Sequence, residues 1–497
     1  MPVRTQLKAT SGGQTHDARS LRQAGRTIEV PFQLTLMGRG SDRDLVCREI
    51  LRHLPGKRLV CRGSWGDQED VVAKIYLDPR RAQRHYQREL MGLESLETAR
   101  IPTPPVLFRG TLVDGRTPLL ITRGIHKSTD VSTTLATHPT NAEAFPILSA
   151  ALNAVARMHA AGLSQRDIHP GNFLLVDDTV MVIDGADIKP HGKPLPKRPS
   201  IANLGLFLAQ FYPEFEIFIP DLIASYCHYR SWPPSPALTR RIEKALMRCA
   251  DWREKKFLQK TLRPCTAFIA RKTWRRSMVC ERARFSPALA CLLDNPDAAM
   301  AAGTVLKAGN SATVVKIDLA GRPLVVKRYN LKNRRHALGR ALRPSRAAVA
   351  WCNANRLQFL GIATPRPLAL LEERWGPLRR RAFFLSDYVA GKPIAEVIEE
   401  NRENPEVLAS CADQLRRLLQ RLKQLRLSHS DLKASNLILA EGRLYLLDLD
   451  GMRKHRGTRG FQRAFRKDVR RLRENWRHNN AFSALMNARI REVDRYV

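Results

Sequence analysis

Two stretches of the chain carry the same landmarks in the same order, the last three at one constant separation, which no single compact domain accommodates. The loops Q-R-D167-I-H-P-G-N172-F-L-L and H-S-D431-L-K-A-S-N436-L-I-L each precede an apolar run ending in aspartate, M-V-I-D184-G and Y-L-L-D448-L-D450-G. Asp to Asn spans five residues in both copies, Asn to the last Asp spans twelve, and all three positions lie 264 residues apart. Each loop follows an amphipathic helical pattern, Ile147, Leu148, Leu152, Val155 and Met158 in the first copy and Leu415, Leu418, Leu419, Leu422 and Leu425 in the second, with the three-to-four-residue recurrence of one helix face. Further upstream each copy has a strand-like run carrying lysine, V-V-A-K74-I-Y or V-V-K327-R-Y, then a helical stretch and an I-x-T-P phrase. Self-similarity on this scale predicts a domain-scale duplication. The 497 residues are enough for two to four domains at roughly 100–200 residues each.

Charge narrows the partners. Lys and Arg total 84 against 47 Asp and Glu, a formal +37, and such a field attracts nucleic acid, anionic lipid headgroups or phosphorylated glycans. Apolar residues at 43% and charged residues at 26% are ordinary globular usage, which argues against wholesale disorder, collagen-like repeats and an integral membrane protein. Nine cysteines without a C-x-x-C pair point to neither a disulfide framework nor a zinc site, so a reducing compartment and no zinc are expected. The polar segment Met1 to Arg26 lacks the apolar core of a secretory signal. The most apolar long stretch, Leu204 to Tyr226, is broken by Gln210, Pro213, Glu214, Glu216, Pro220 and Asp221, so no membrane-spanning segment is predicted.

Phosphoryl transfer from ATP asks a protein for a cation on the phosphates, carboxylate and amide ligands for Mg²⁺, and a carboxylate that takes the proton of the acceptor hydroxyl. Both copies offer that set, in the arrangement of kinases. In the first, Lys74 is expected on the phosphates, Asp167 on the hydroxyl, and Asn172 with Asp184 on the metal; in the second these places fall to Lys327, Asp431, Asn436 and Asp448. A lone strand lysine is most often a solvated edge residue, and an Asp before Gly a turn former; the weight lies in the register, repeated twice. A helix glutamate should hold the lysine toward the phosphates. Glu89 is the candidate in the first copy, ahead of Glu94. The matching helix of the second copy, R-A-A-V-A-W-C-N-A-N-R-L, has no acid, and Asn353 or Asn355 faces that place. Catalysis is therefore expected to depend more on the first copy. The segments R-G63-S-W-G66-D and K-A-G309-N-S-A-T are read as phosphate-covering loops, although neither matches G-x-G-x-x-G. Neither copy shows D-F-G followed by A-P-E, which disfavours a peptide acceptor.

The expected fold class is α+β, two tandem protein-kinase-like bilobal domains: a flexible basic tail over 1–28, domain 1 over 29–235, a basic helical connector over 236–300 and domain 2 over 301–497. The connector opens on Trp-Pro-Pro-Ser-Pro and is then rich in Arg and Lys.

The phrases V-V-K-R-Y-N-L-K-N, R-P-S-R-A, A-T-P-R-P-L-A-L and F-R-K-D-V-R-R-L-R-E-N-W, with Q-R-D-I-H-P-G-N-F-L-L in the first copy, resemble the bacterial lipopolysaccharide core kinases, which phosphorylate heptose or Kdo sugars. In this resemblance Gln165 stands where His is usual. It implies a kinase-like fold, ATP with Mg²⁺ and a sugar hydroxyl of the lipopolysaccharide core oligosaccharide as acceptor. With the charge, it sets the expected location as cytoplasmic, peripheral on the anionic leaflet at the inner face of the inner membrane. Two other readings are a catalytically inactive scaffold for core-assembly enzymes and a nucleic-acid-binding protein; no RNP, zinc-finger or helix-turn-helix phrase supports the latter.

Overall fold

The computed structural model describes residues 14–25, 28–38, 44–126, 128–137, 140–177, 179–330 and 343–495. It divides into two compact units, Met1–Ala250 and Asp251–Val497, each of mixed helix and sheet.

The sheet of the first unit runs Gln14–Thr15, Phe32–Thr35, Asp44–Leu54, Arg58–Trp65, Gln68–Tyr76, Pro118–Arg123, Val106–Thr111 from edge to edge. Alternation along its strands sends Leu59, Cys61, Val71, Ala73, Ile75, Leu119 and Ile121 to one fully buried face and leaves Lys74 on the other. The sheet also closes. Leu36 bridges antiparallel to Leu112, with Met37 N donating to Thr111 O at 2.9 Å and Val113 N to Thr35 O at 3.0 Å. The apolar face is thus wrapped into an interior, into which Leu21 of helix Ala18–Gln23 packs.

That helix corrects the expected flexible tail over 1–28. Asp17 caps it, accepting from Ser20 N at 2.6 Å, and Ala18 and Leu21, three residues apart, bury the one apolar face the segment has. Composition alone missed that face because polar residues surround it; residues 1–13 and 26–27 lie outside the described residues. Beneath the sheet, helices Asn141–Ala160, Lys197–Leu208 and Ile219–Tyr229 pack around Leu148, Leu152, Val155, Leu204, Leu222 and Tyr226. Among the described residues no helix is long and apolar enough to cross a membrane.

The sheet of the second unit runs Phe268–Lys272, Arg276–Glu281, Pro367–Trp375, Leu378–Asp387, Arg322–Tyr329, Ala312–Leu319, Thr304–Ala308. Its first hairpin falls inside the stretch expected to be a basic helical connector. Helix Pro236–Lys260 ends before it, and F-I-A-R-K and R-S-M-V-C-E then pair as strands, burying Phe268, Val279 and Cys280. The density of Arg and Lys hid the two-residue period. Helices Pro287–Asp294 and Pro296–Ala301 follow, and Leu289, Leu292, Leu293 and Met300 cover Val315, Ile317, Val326 and Leu385 on the sheet. Helices Pro405–Gln424, Thr458–Glu474 and Asn480–Arg495 complete the unit.

Candidate active site

In the first unit, Lys74 projects from strand Gln68–Tyr76 toward helix Ala82–Thr98 and pairs with Glu89. Its ammonium also donates to Ile183 O at 3.2 Å. Glu89 is fully buried, and the same oxygen that holds Lys74 accepts from Gly185 N at 3.2 Å. Burial pushes the Glu89 carboxyl above its ordinary range, against the pull of Lys74. Asp184 feels burial too, but Lys74 and the amide of Ala186 outweigh it and hold its carboxyl low. Glu94 points elsewhere, pairing with Arg109 at 2.7 Å on the surface.

The second unit holds its lysine differently. Neither amide on helix Arg346–Phe359 hydrogen-bonds Lys327: Asn353 donates to Leu449 O and Met452 O, both at 2.9 Å, and Asn355 donates to Trp351 O at 2.9 Å. The expectation that one of them takes the place of the helix glutamate is therefore corrected. Lys327 instead meets Asp448 at 2.6 Å and Asp450 at 3.3 Å. Arg346 holds the same Asp450 oxygen at 2.9 Å, and the Tyr329 ring lies 4.9 Å from Lys327 and 5.0 Å from Arg346. Asp448 sits in the left-handed region at φ 59, which turns the chain sharply enough to bring Asp450 back beneath the lysine. Burial raises the Asp448 carboxyl, but Lys327 outweighs it and the net shift is downward.

The two acidic loops are built alike. Asn172 donates to Asp167 O and Asn436 to Asp431 O, each at 2.9 Å, so each amide nitrogen closes its own loop. Gln165 and His429 are both fully buried. Gln165 donates to Asp184 O at 3.1 Å, while His429 Nε2 lies 2.8 Å from Leu447 O; the amide thus preserves the link from loop to strand end that a ring makes in the other copy. Each loop is also held from behind by a residue that motif reading missed. Asn203 donates to Gln165 O at 2.7 Å, and buried Asp468 accepts from His429 N at 2.6 Å and Ser430 N at 2.9 Å. Asp468 had a signal: with Phe461, Phe465 and Leu472 it lies on the buried face of a helix otherwise crowded with arginine.

The loops differ at the first aspartate. Asp167 is exposed and makes no ion pair among the described residues. Asp431 pairs with Arg471 at 2.7 Å and Lys433 at 3.4 Å. At the place of Lys433 the first unit has His169, whose Nδ1 accepts from Gly171 N at 3.0 Å.

A cavity of about 540 Å³ lies within the second unit, with Gly309, Ser311, Lys327, Asn436 and Asp448 on its wall and Tyr388 and Val389 at the strand end. The G309-N-S segment thus joins strands Thr304–Ala308 and Ala312–Leu319 at the cavity wall, where a phosphate-covering loop was expected. The other segment read that way does not: Gly63 lies inside strand Arg58–Trp65, where a Cβ would come 1.7 Å from Val46 O, and Gly66 makes the turn after it at φ 52. The corresponding turn of the first unit is 55–57, closed by Lys57 N donating to Leu54 O and Leu77 N to Lys57 O, both at 2.9 Å.

The sequence profile of the lipopolysaccharide kinase (Kdo/WaaP) family matches residues 66–186 and 306–489, together more than half of the chain. A 3-deoxy-D-manno-octulosonic acid kinase of Mannheimia succiniciproducens is 24% identical over 151 residues, which cover 28% of this chain and 62% of that protein, less than two thirds of its length. Among solved structures, the PknI kinase domain of Mycobacterium tuberculosis aligns at 19% identity and a TM-score of 0.27, over 43% of this chain and 100% of that one. The bifunctional kinase-methyltransferase WbdD aligns at 15% identity and a TM-score of 0.31, over 42% and 53%. By the extent of the profile match, the chain belongs to the lipopolysaccharide kinase (Kdo/WaaP) family.

Proposed function

We propose that this protein transfers the terminal phosphate of ATP to a hydroxyl of a lipopolysaccharide inner-core sugar, heptose or Kdo, through two tandem kinase-like domains of which the second is the main transfer centre. One observation carries the reading: Lys327, Asn436 and Asp448 share the wall of a single cavity, and Asn436 is tied directly to the loop of Asp431. Lys327 holds the nucleotide phosphates. Asp431 orients the acceptor hydroxyl and takes its proton as the new oxygen–phosphorus bond forms and the bond to the leaving diphosphate breaks. Lys74, Asp167, Asn172 and Asp184 have the same places in the first unit, with Glu89 on the lysine.

The donor chemistry fits Mg²⁺, which is commonly bound by one or two protein oxygens together with substrate phosphates. Asp448 offers a carboxylate held in its charged form. Asn436 spends its amide nitrogen on the backbone, which leaves its amide oxygen for a cation; Asp184 and Asn172 repeat the pair. When bound, the ion neutralises charge on the phosphates. The first unit was expected to dominate because the second lacks a helix carboxylate. The pairing of Lys327 with Asp448 and Asp450 removes that reason, and the Lys433 and Arg471 cations beside Asp431 favour the second unit for an anionic acceptor.

Helix Thr458–Glu474 also supports action on an anionic membrane surface. It turns Phe461, Phe465, Asp468 and Leu472 inward and leaves Arg459, Arg463, Arg466, Lys467, Arg470 and Arg473 exposed, and basic residues near an anionic leaflet each add about 1 kcal/mol. The test is mass spectrometry of core oligosaccharide from cells lacking the protein. Loss of phosphate from one sugar is the expected result; an unchanged core defeats the reading and favours the inactive scaffold.

A further inference from the structure

We propose that Asp450 is the positioning residue for Lys327, a carboxylate that has moved from the helix in the first unit to the loop after the metal-site aspartate in the second. The proposal rests on Lys327 being the phosphate-holding lysine. Two local registers make the exchange readable, one on the helix and one on the loop. Counted from the I-x-T-P phrases at Ile101 and Ile362, 261 residues apart, Glu89 on the helix corresponds to Ala350; on the loop, at 264, Ala186 corresponds to Asp450. One unit thus has Glu on the helix and Ala on the loop; the other has Ala on the helix and Asp on the loop. At these two positions each unit carries one carboxylate.

The contacts follow the exchange. In the first unit the helix carboxylate binds lysine and loop together, through Lys74 Nζ and Gly185 N. In the second those two tasks are divided. Asn353 ties the helix to the loop through the carbonyls of Leu449 and Met452, and Asp450, on the loop so held, meets Lys327 at 3.3 Å. The side chain of Asp450 is only 10% exposed, and Arg346 anchors the same oxygen at 2.9 Å; the position matching Arg346 on the helix of the first unit is His85, so no arginine stands there. Asp448 lies nearer to the lysine, at 2.6 Å, but it is the residue proposed to turn toward a cation. Lys327 then needs a second partner that stays in place, and Asp450 is that partner.

The experiment is amine acylation of the full-length protein, read at Lys327 by peptide mass spectrometry, alongside Mg-ATP titration in a Lys74→Ala background so that binding reports the second unit. Asp450→Asn keeps shape and removes charge, and it is expected to raise Lys327 acylation roughly tenfold, the size of one lost charge-assisted hydrogen bond, and to weaken Mg-ATP binding by a similar factor. Asp450→Glu, which restores the charge, should recover most of both effects. Arg346→Gln should act in the opposite direction, lowering Lys327 acylation by freeing Asp450 from its competitor, and so keeps the idea testable if Asp450→Asn fails to fold. Lys454, paired with Glu254, is the internal control for folding. Unchanged acylation of Lys327 in Asp450→Asn, or no recovery in Asp450→Glu, overturns the proposal. The expected acylation pattern without Mg-ATP binding upholds the ion pair and overturns the phosphotransfer reading of the second unit.

Discussion

The two units solve one electrostatic problem from different elements. A strand lysine left alone beside a cleft samples many rotamers; both copies confine it, the first with a buried helix glutamate and the second with two loop aspartates. The groups proposed to touch nucleotide, metal or acceptor keep their types, and the three on loop and strand keep their spacing. The group that only positions the lysine has moved. Positioning requires a charge within reach at low exposure, and several backbone positions meet that requirement, whereas a metal ligand or a proton acceptor must sit at one point. The covering of the sheet shows the same freedom: a closed barrel with one short helix in the first unit, two helices in the second.

The largest difference between the units is expected at Glu89. Its partner Lys74 is 15% exposed while Glu89 itself is fully buried, so Glu89→Ala leaves an ammonium without its main counter-charge and should destabilise the first unit by about 3–5 kcal/mol. Hydrogen exchange resolved by peptide should show the loss confined to residues of that unit. A loss under about 1 kcal/mol, the scale of an exposed pair, would mean that Asp184 takes over, making the first unit work as the second does.

A pH experiment separates the units next. His159 in the first unit lies buried between Tyr226 OH at 2.6 Å and Asn203 Oδ1 at 2.9 Å, and burial pushes its imidazole down from an ordinary 6.5 to about 4. The unfolded chain then binds a proton that the folded chain refuses. The stability is complete above pH 6.5 and is lost as pH falls from there toward 4, by up to about 3 kcal/mol. The second unit has Lys423 at the matching position and should lack this contribution. Urea unfolding at about pH 7.5 and about pH 4.5, on either side of an ordinary imidazole, should show the first unit weakening and His159→Gln abolishing most of the difference; equal acid sensitivity in both proteins would remove His159 from the account.

The smallest expected effect sharpens the division of labour in the second unit. Asn353→Ala removes two buried donors and leaves the carbonyls of Leu449 and Met452 without them, at a cost of about 1–3 kcal/mol. Protection of amides 448–452 should fall in hydrogen exchange while the core of helix Pro405–Gln424 stays unchanged. Unaltered protection would show that the loop carries Asp450 without help from the helix.

Much of the site was legible from the register of 264 residues, because loop, strand and terminal aspartate are local features whose spacing survives in the sequence. The choice of Glu89 over Glu94 followed from distance to the lysine. Asp450 was not legible: it reads as a turn former before Gly451, and its approach to Lys327 depends on the left-handed backbone at Asp448. Asn203 and Asp468 hold the loops across 38 or 39 residues, which no local motif records. Closure of the first sheet depends on Leu36 finding Leu112, and the hairpin over 268–281 was masked by its charge.

Phosphate transfer at Asp431, as proposed, can be measured directly. The direct measurement is incorporation of label from γ-labelled ATP into purified core oligosaccharide isolated from cells lacking this protein, catalysed by wild type, Asp167→Ala and Asp431→Ala, with folding checked by hydrogen exchange. Loss of a catalytic carboxylate typically costs ~10²- to 10⁴-fold, so Asp431→Ala should lose nearly all transfer while Asp167→Ala keeps most of it. Full transfer by a folded Asp431→Ala protein would contradict the account.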